Sequence, residues 1–156
     1  MAIKIGQTAP SFELYDTEKK KLSLEDFKDK NVLLLFFPLA FTSVCTKELC
    51  SVRDNIAHYN NVNAQVLGIS VDSLFTLNKF KEEQNLNFPL LSDFNKEVST
   101  LYHSIYPAFG FDMKGVSKRA AFVIDKNKTI RYAEVLDNAG ELPDFSAINE
   151  TLRSLN

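Results

Sequence analysis

The sequence predicts an α/β fold, a central mixed sheet flanked by helices, with a small β extension at the N-terminus. Three observations carry this. Two apolar runs of strand length, ending at Phe37 and Val71, read as strands covered on both faces. Segments whose apolar residues recur at helical spacing follow each of them. Two further β-rich runs are separated only by Lys126-Asn127-Lys128, a hairpin signal. Parallel crossovers and a hairpin in one sheet make that sheet mixed.

Taken in order, Ser11 to Tyr15 alternates apolar and polar residues, and Lys21 to Leu24 follows a charged turn, which together give the N-terminal β element. Ser23-Leu24-Glu25-Asp26 has the form of a capping box opening a short helical turn through Phe27. Asn31 to Phe37 is the first central strand. Thr42 to about Tyr59 reads as one helix, with Val44, Leu49, Val52, Ile56 and Tyr59 at roughly helical intervals. Ala64 to Val71 is the second buried strand, and Leu74 to Gln84 a helix with Leu74, Leu77 and Phe80 on one stripe. Phe88 to Leu91 is short and extended, and Asn95 to Tyr102 is helical. Arg119 to Asp125 and Thr129 to Val135 form the hairpin, and Leu142 to Leu155 closes the chain as a helix with Pro143 near its start.

The 156 residues show no repeat, low-complexity tract or Pro/Gly/Ser linker, so residues 1–156 are expected to form a single domain. A formal net charge of -2 gives no electrostatic footprint for nucleic acid. The N-terminus lacks an apolar signal core, and the longest apolar run, Val32 to Phe41, is interrupted by Pro38. It is far short of the ~20 residues that span a bilayer. A cytoplasmic protein that binds neither membrane nor nucleic acid is the expectation, with small molecules and ordinary proteins as partners.

The two cysteines, Cys45 and Cys50, close too small a loop to staple a domain. In a chain that reads as cytoplasmic, such a pair is more often catalytic or metal-binding. His58 and His103 do not lie at metal-ligand spacings from the cysteines, and a structural zinc needs about four ligands. Neither a metal nor a cofactor is expected, since no Gly-rich phosphate loop, Ser/His/Asp set or metal motif is present.

The chemistry concentrates in Phe37-Pro38-Leu39-Ala40-Phe41-Thr42-Ser43-Val44-Cys45. A buried strand ends, proline breaks it, and a helix begins near Thr42. Cys45 is thereby predicted in the first turn of a helix at the carboxyl end of a central strand, where α/β sheets place ligand sites. Free backbone N–H groups and the positive end of the helix dipole point outward there, and both favour a thiolate. A cysteine is more often a small buried hydrophobe than a nucleophile. The surrounding pattern reverses that judgement.

Pro38, Thr42 and Cys45 match the Pro-x-x-x-Thr/Ser-x-x-Cys pattern of peroxiredoxins, and the chain resembles that family along its length. Gly6 to Phe12, Gly68 to Ser73, Phe88 to Asp93 and Arg119 to Asp125 are similar to further family blocks. The resemblance implies a thioredoxin-like fold and a thiol-dependent peroxidase with antioxidant activity in cell redox homeostasis. Hydrogen peroxide and organic hydroperoxides would be its substrates, and thioredoxin or a similar dithiol its reductant. It implies that Cys45 is the peroxidatic cysteine, passing through a sulfenic acid. By the same resemblance the Thr42 hydroxyl bonds thiolate and peroxide, Pro38 shields the sulfur, and Arg119 supplies the cation beside it. A guanidinium suits holding a thiolate and the charge on a leaving oxygen. Glu48, one turn after Cys45, would work against a thiolate if bare, and is expected to pair with an arginine and fix its pose. Arg53 is a second candidate arginine.

Cys50 matches the resolving cysteine of the Q-type subgroup, the bacterioferritin comigratory proteins. Pro-Leu-Ala-Phe-Thr is similar instead to the one-cysteine subgroup named after alkyl hydroperoxide reductase E. Residues five apart on an ideal helix have Cα atoms ~8.6 Å apart, beyond the ~7 Å that a disulfide tolerates. A Cys45–Cys50 disulfide therefore requires the first helical turns to unwind after oxidation, and resolution by an external thiol is the other route. A disulfide oxidoreductase of the thioredoxin type, or a redox sensor using the same cysteine, is the reading from another class. The former needs Cys-x-x-Cys, which this chain lacks. Phe41, Phe75, Tyr106, Phe109 and Phe111 could supply the surface of a homodimer or fill a core. The stretch Tyr102 to Val116 is either a loop over the site or an interface.

Overall fold

Seven strands form one mixed sheet in the order β2-β1-β5-β4-β3-β6-β7. The computed structural model describes residues 2–156. β3 (Asn31–Phe36), β4 (Ala64–Ser70) and β5 (Leu90–Ser92) are parallel neighbours. β6 (Arg119–Ile124) runs antiparallel to β3 and carries β7 (Ile130–Leu136) at its outer edge. The N-terminal hairpin, β1 (Glu13–Asp16) and β2 (Lys21–Ser23), extends the sheet beyond β5. This is the α/β architecture of the thioredoxin-like fold. Every residue of β3 and β6 is buried, as strands covered on both faces require.

Alternation along the strands splits the core in two. Leu33, Leu35, Phe37, Ala121 and Val123 face α1 (Ser43–Asp54), α2 (Ile56–Asn61), α3 (Leu74–Gln84) and α5 (Phe145–Ser154). Leu34, Phe36, Ala120 and Phe122 face α4 (Glu97–Leu101), Tyr102 and the N-terminal segment. Arg119 has the parity of Ala121 and Val123, so the sheet aims its side chain at α1.

Several boundaries depart from the sequence-based expectation, each for a local reason. The helix expected over 42–59 breaks at Asn55. Its amide N–H closes a tight turn onto Val52 O at 3.1 Å, and its Nδ2 donates to Ser51 O at 2.8 Å, so the chain leaves the helical path. The last helix starts at Phe145 rather than Leu142, because the Asp144 carboxylate caps Ala147 N–H at 3.1 Å and leaves Pro143 outside. α4 is shorter than expected. Lys96 takes a left-handed φ of 65°, and the Asp93 carboxylate receives the Val98 and Ser99 N–H groups instead. β5 begins two residues late, at Leu90. Asp26 accepts from Ser23 N–H at 2.9 Å, as the capping box requires, over a 3₁₀ turn at Leu24–Phe27. No helix among the described residues is long and apolar enough to cross a membrane.

Candidate active site

The chain passes from β3 to α1 through residues 37–42, and that passage is held at three points. Phe37 N–H still pairs with Ile69 O of β4 at 3.0 Å. Ala40 N–H donates to Asp72 Oδ2 at 2.8 Å, and Ser70 Oγ donates to the same oxygen at 2.6 Å. Phe41 adopts φ 67°, a left-handed conformation uncommon for an aromatic residue, with its ring edge-on to Phe80 at 5.2 Å. Thr42 then returns to extended backbone as the N-cap of α1, and its carbonyl accepts the first helical bond from Thr46 N–H at 2.9 Å.

Cys45 is therefore the third residue of α1, within the turn whose N–H groups have no intrahelical partner. Its side chain is 1 % exposed. Arg119 reaches it from β6. Nη2 donates to Cys45 Sγ at 3.3 Å and to Ala139 O at 2.9 Å, and Nη1 donates to Glu48 Oε1 at 2.7 Å. The guanidinium is thus clamped on three sides, which fixes its orientation without help from solvent. A cavity of about 230 Å³ opens onto this group, lined in part by Pro38, Thr42, Val44, Cys45, Phe109 and Arg119.

Glu48 is fully buried, and its Oε2 has no hydrogen-bond partner among the described residues. Burial pushes its carboxyl up to about 7, although Arg119 opposes the rise. On Arg119, burial works against the charge, but Glu48 and Cys45 outweigh it and hold the guanidinium above its ordinary value. The cluster contains one fixed cation and two groups that can be anionic. It accommodates one negative charge easily and a second only at a cost.

Of the residues that the sequence singles out, the structure brings Cys45, Thr42, Pro38, Arg119 and Glu48 together. The Thr42 hydroxyl donates to Leu39 O at 2.7 Å rather than to the sulfur, which leaves its oxygen free to accept. Cys50 lies apart. It is half-buried against α3, and its Sγ–H donates to Gln84 Oε1 at 3.4 Å. Both thiols are free. Arg53 does not meet Glu48; it bonds Asp54 and Gln84 O. In the 102–116 stretch, Phe109 lines the cavity and Phe111 is 98 % exposed. Sequence reasoning missed Asp72 and the Ala139 carbonyl. Asp72 stands in the Gly68 to Ser73 block, but its role depends on a contact 32 residues away. A backbone carbonyl leaves no signal in side-chain identity.

Comparison with known proteins finds relatives of this chain. A profile described as the AhpC/TSA family matches residues 5–133. Alkyl hydroperoxide reductase E of Mycobacterium tuberculosis is 35 % identical over 156 residues, covering 98 % of this chain and 98 % of that protein. The mitochondrial thioredoxin-dependent peroxide reductase of Drosophila melanogaster is 33 % identical over 162 residues, covering 97 % of this chain and 65 % of that protein. Among solved structures, peroxidoxin BcpB from Mycobacterium tuberculosis is similar with a TM-score of 0.87 at 29 % identity, covering 99 % of each chain.

Proposed function

The chain belongs to the AhpC/TSA family and is a peroxiredoxin, a thiol-dependent peroxidase, and on that premise we propose that Cys45 is its peroxidatic cysteine. The observation that carries the reading is the clamped guanidinium of Arg119, 3.3 Å from Cys45 Sγ at the floor of a small cavity. A fixed cation there favours the thiolate and needs no rearrangement when charge moves to the leaving oxygen. The thiolate attacks the terminal oxygen of a hydroperoxide. The S–O bond forms as the O–O bond breaks, the sulfur becomes a sulfenic acid, and the leaving oxygen takes up a proton as water or alcohol. Thr42, with its own proton given to Leu39 O, accepts from the hydroperoxide O–H and orients it. Pro38 closes one side against water, and Glu48 holds Arg119 in place.

Hydrogen peroxide and small organic hydroperoxides are the proposed substrates. Pro38, Val44 and Phe109 offer apolar contact to an alkyl group, and the cavity is small. Cys50 is the proposed resolving thiol, giving an intramolecular disulfide with Cys45 that thioredoxin or a similar dithiol reduces. A relative named as thioredoxin-dependent supports that reductant. The cytoplasm is the proposed compartment, where both thiols start reduced. A single domain spanning residues 1–156 and a homodimer complete the proposal, the latter supported by the exposed rings of Phe41, Phe75 and Phe111. The second reading, resolution by an external thiol, is favoured by the intact helix between the two cysteines.

The test is rapid-quench oxidation of the reduced protein by hydrogen peroxide, read by intact mass because the chain has no Trp to report by fluorescence. Wild type should gain oxygen quickly and then convert to the disulfide; Cys45→Ser should do neither. Thr42→Val should slow the first step by about tenfold, the effect of about one lost hydrogen bond. Oxidation at the rate of a free thiol, or unchanged in Cys45→Ser, would end the reading. A Cys50→Ser variant that turns over normally with thioredoxin would move resolution to an external thiol.

A further inference from the structure

The helix that carries both cysteines is tethered unevenly. Its C-terminal half is tied to the end of α3 and the turn beyond it. Arg53 Nη1 donates to Gln84 O at 2.6 Å, Asn87 Nδ2 donates to Arg53 O at 3.3 Å, and Cys50 Sγ–H donates to Gln84 Oε1 at 3.4 Å. The N-terminal half has no such ties. The Thr42 hydroxyl turns away to Leu39 O and caps no helical N–H, and Ser43 is exposed. The tertiary hydrogen bonds of that half pass through one side chain, Arg119, which grips Cys45 and Glu48.

Oxidation strikes at that single grip. A thiolate and a guanidinium attract each other as charges, whereas a sulfenic acid is neutral and carries an extra oxygen on a buried sulfur. The turn that loosens is therefore the one holding Cys45. We propose that Arg53 and Gln84 anchor Cys50 as a stationary receiving thiol, so that resolution is the movement of Cys45 toward a fixed partner. The inference rests on Cys50 being the resolving thiol and adds two positioning residues to that reading.

The chemistry fits the anchor. Cys50 gives its proton to solvent and its thiolate attacks the Cys45 sulfenic sulfur. The S–S bond forms as the S–O bond breaks, and the departing hydroxide takes a proton and leaves as water. Gln84 can serve both states of Cys50. Its Oε1 accepts from the thiol, and turning the amide about its terminal bond offers an N–H to the thiolate. Arg53, three residues beyond Cys50 on the same helix, carries its positive charge on the neighbouring turn. Without the anchor, Cys50 and Cys45 must find each other by chance, and the sulfenic acid stays open to a second peroxide and the irreversible sulfinic state.

The experiment follows oxidation of wild type, Arg53→Ala, Gln84→Ala and Arg53→Lys by excess hydrogen peroxide, without reductant, by rapid quench and intact mass, with circular dichroism to verify folding. Gln84→Ala removes only the side-chain tether and keeps the backbone acceptor, so it remains informative should Arg53→Ala fold poorly. The first oxygen should be gained at the wild-type rate in all four. Disulfide formation should slow by about tenfold in the alanine variants, the effect of about one lost hydrogen bond. The sulfinic product should rise to match, and Arg53→Lys should recover much of the wild-type partition. Disulfide formation at the wild-type rate in both alanine variants, while wild type forms the 45–50 bond, overturns the anchor alone. Wild type that never forms that bond overturns both the anchor and the resolving role of Cys50.

Discussion

Replacing Glu48 with Gln should change how stability depends on pH, by an amount the structure sets. Glu48 is buried, and its carboxyl titrates at about 7 instead of its ordinary 4.5. Below 4.5 it is neutral whether the chain is folded or not. As pH rises from 4.5, the unfolded chain ionises first and is favoured; once pH passes about 7 the folded state ionises too, and the loss stops growing. At about 1.4 kcal/mol for each tenfold in proton concentration, the interval amounts to about 3 kcal/mol. Gln at this position has the same shape, still accepts from Arg119 Nη1, and does not titrate. Its amide nitrogen replaces Oε2, which lacks a donor, and so brings unpaired N–H groups at a cost that does not vary with pH. Urea unfolding of both proteins at several pH values between 4.5 and 8 isolates the effect, because other titrating groups cancel in the difference. The variant should gain about 3 kcal/mol relative to wild type from the acid to the alkaline end. A difference that stays flat within about 1 kcal/mol would refute the reasoning and mean that Arg119 fully compensates the buried carboxylate. The same titration divides the charge of Arg119. With Glu48 neutral, the guanidinium faces the sulfur alone; with Glu48 ionised, the two share it.

Arg119→Gln should separate two roles. Leaving Glu48 buried without its cation should cost about 3–5 kcal/mol of stability at pH 8 in urea unfolding. Single-turnover oxidation should fall by about 10²-fold. Adding Glu48→Gln should restore much of the stability but not the rate, and oxidation at the wild-type rate in either variant would make Arg119 purely structural. Asp72→Ala removes the acceptor of Ala40 N–H and Ser70 Oγ, and should cost about 1–3 kcal/mol in urea unfolding. It should also slow Cys45 oxidation severalfold in rapid quench; lost stability with an unchanged rate would show that the remaining contacts, Phe37 N–H to Ile69 O and Phe41 against Phe80, suffice to hold the approach to α1.

The parts of the molecule legible in its sequence are those with strong local patterns. The apolar runs of β3, β4 and β6 are unambiguous because both faces of each strand are covered. Cys45 at the start of a helix follows from a strand, a proline and a threonine at the N-cap position in succession. That Glu48 would meet an arginine was readable from its place one turn after Cys45. That the arginine is Arg119, 71 residues away, and not Arg53 depends on which strand pairs with β3. Helical spacing continues across Asn55, so the break there was invisible; it comes from a side chain competing for the backbone. The left-handed φ of Phe41 had no signal at all, since an aromatic residue is a poor candidate for it.

The pairing of β6 bears on which changes of chain length this protein tolerates. Arg119 stands opposite Leu136, and the next residue, Ala120, stands opposite Phe36. Because side chains alternate, a slip of one residue would turn the guanidinium to the far face of the sheet and point Ala120 at Cys45. The ladder already contains one irregularity. Val123 pairs with Tyr132 and Ile124 with Ile130, so Arg131 is an extra residue beside the hairpin at Lys126 to Lys128. A residue gained or lost in that hairpin meets this bulge before it meets the arginine. Insertions and deletions are thus absorbed at the end of the β6–β7 ribbon remote from Cys45, whereas the stretch from Arg119 to Val123 has no slack and must keep its length.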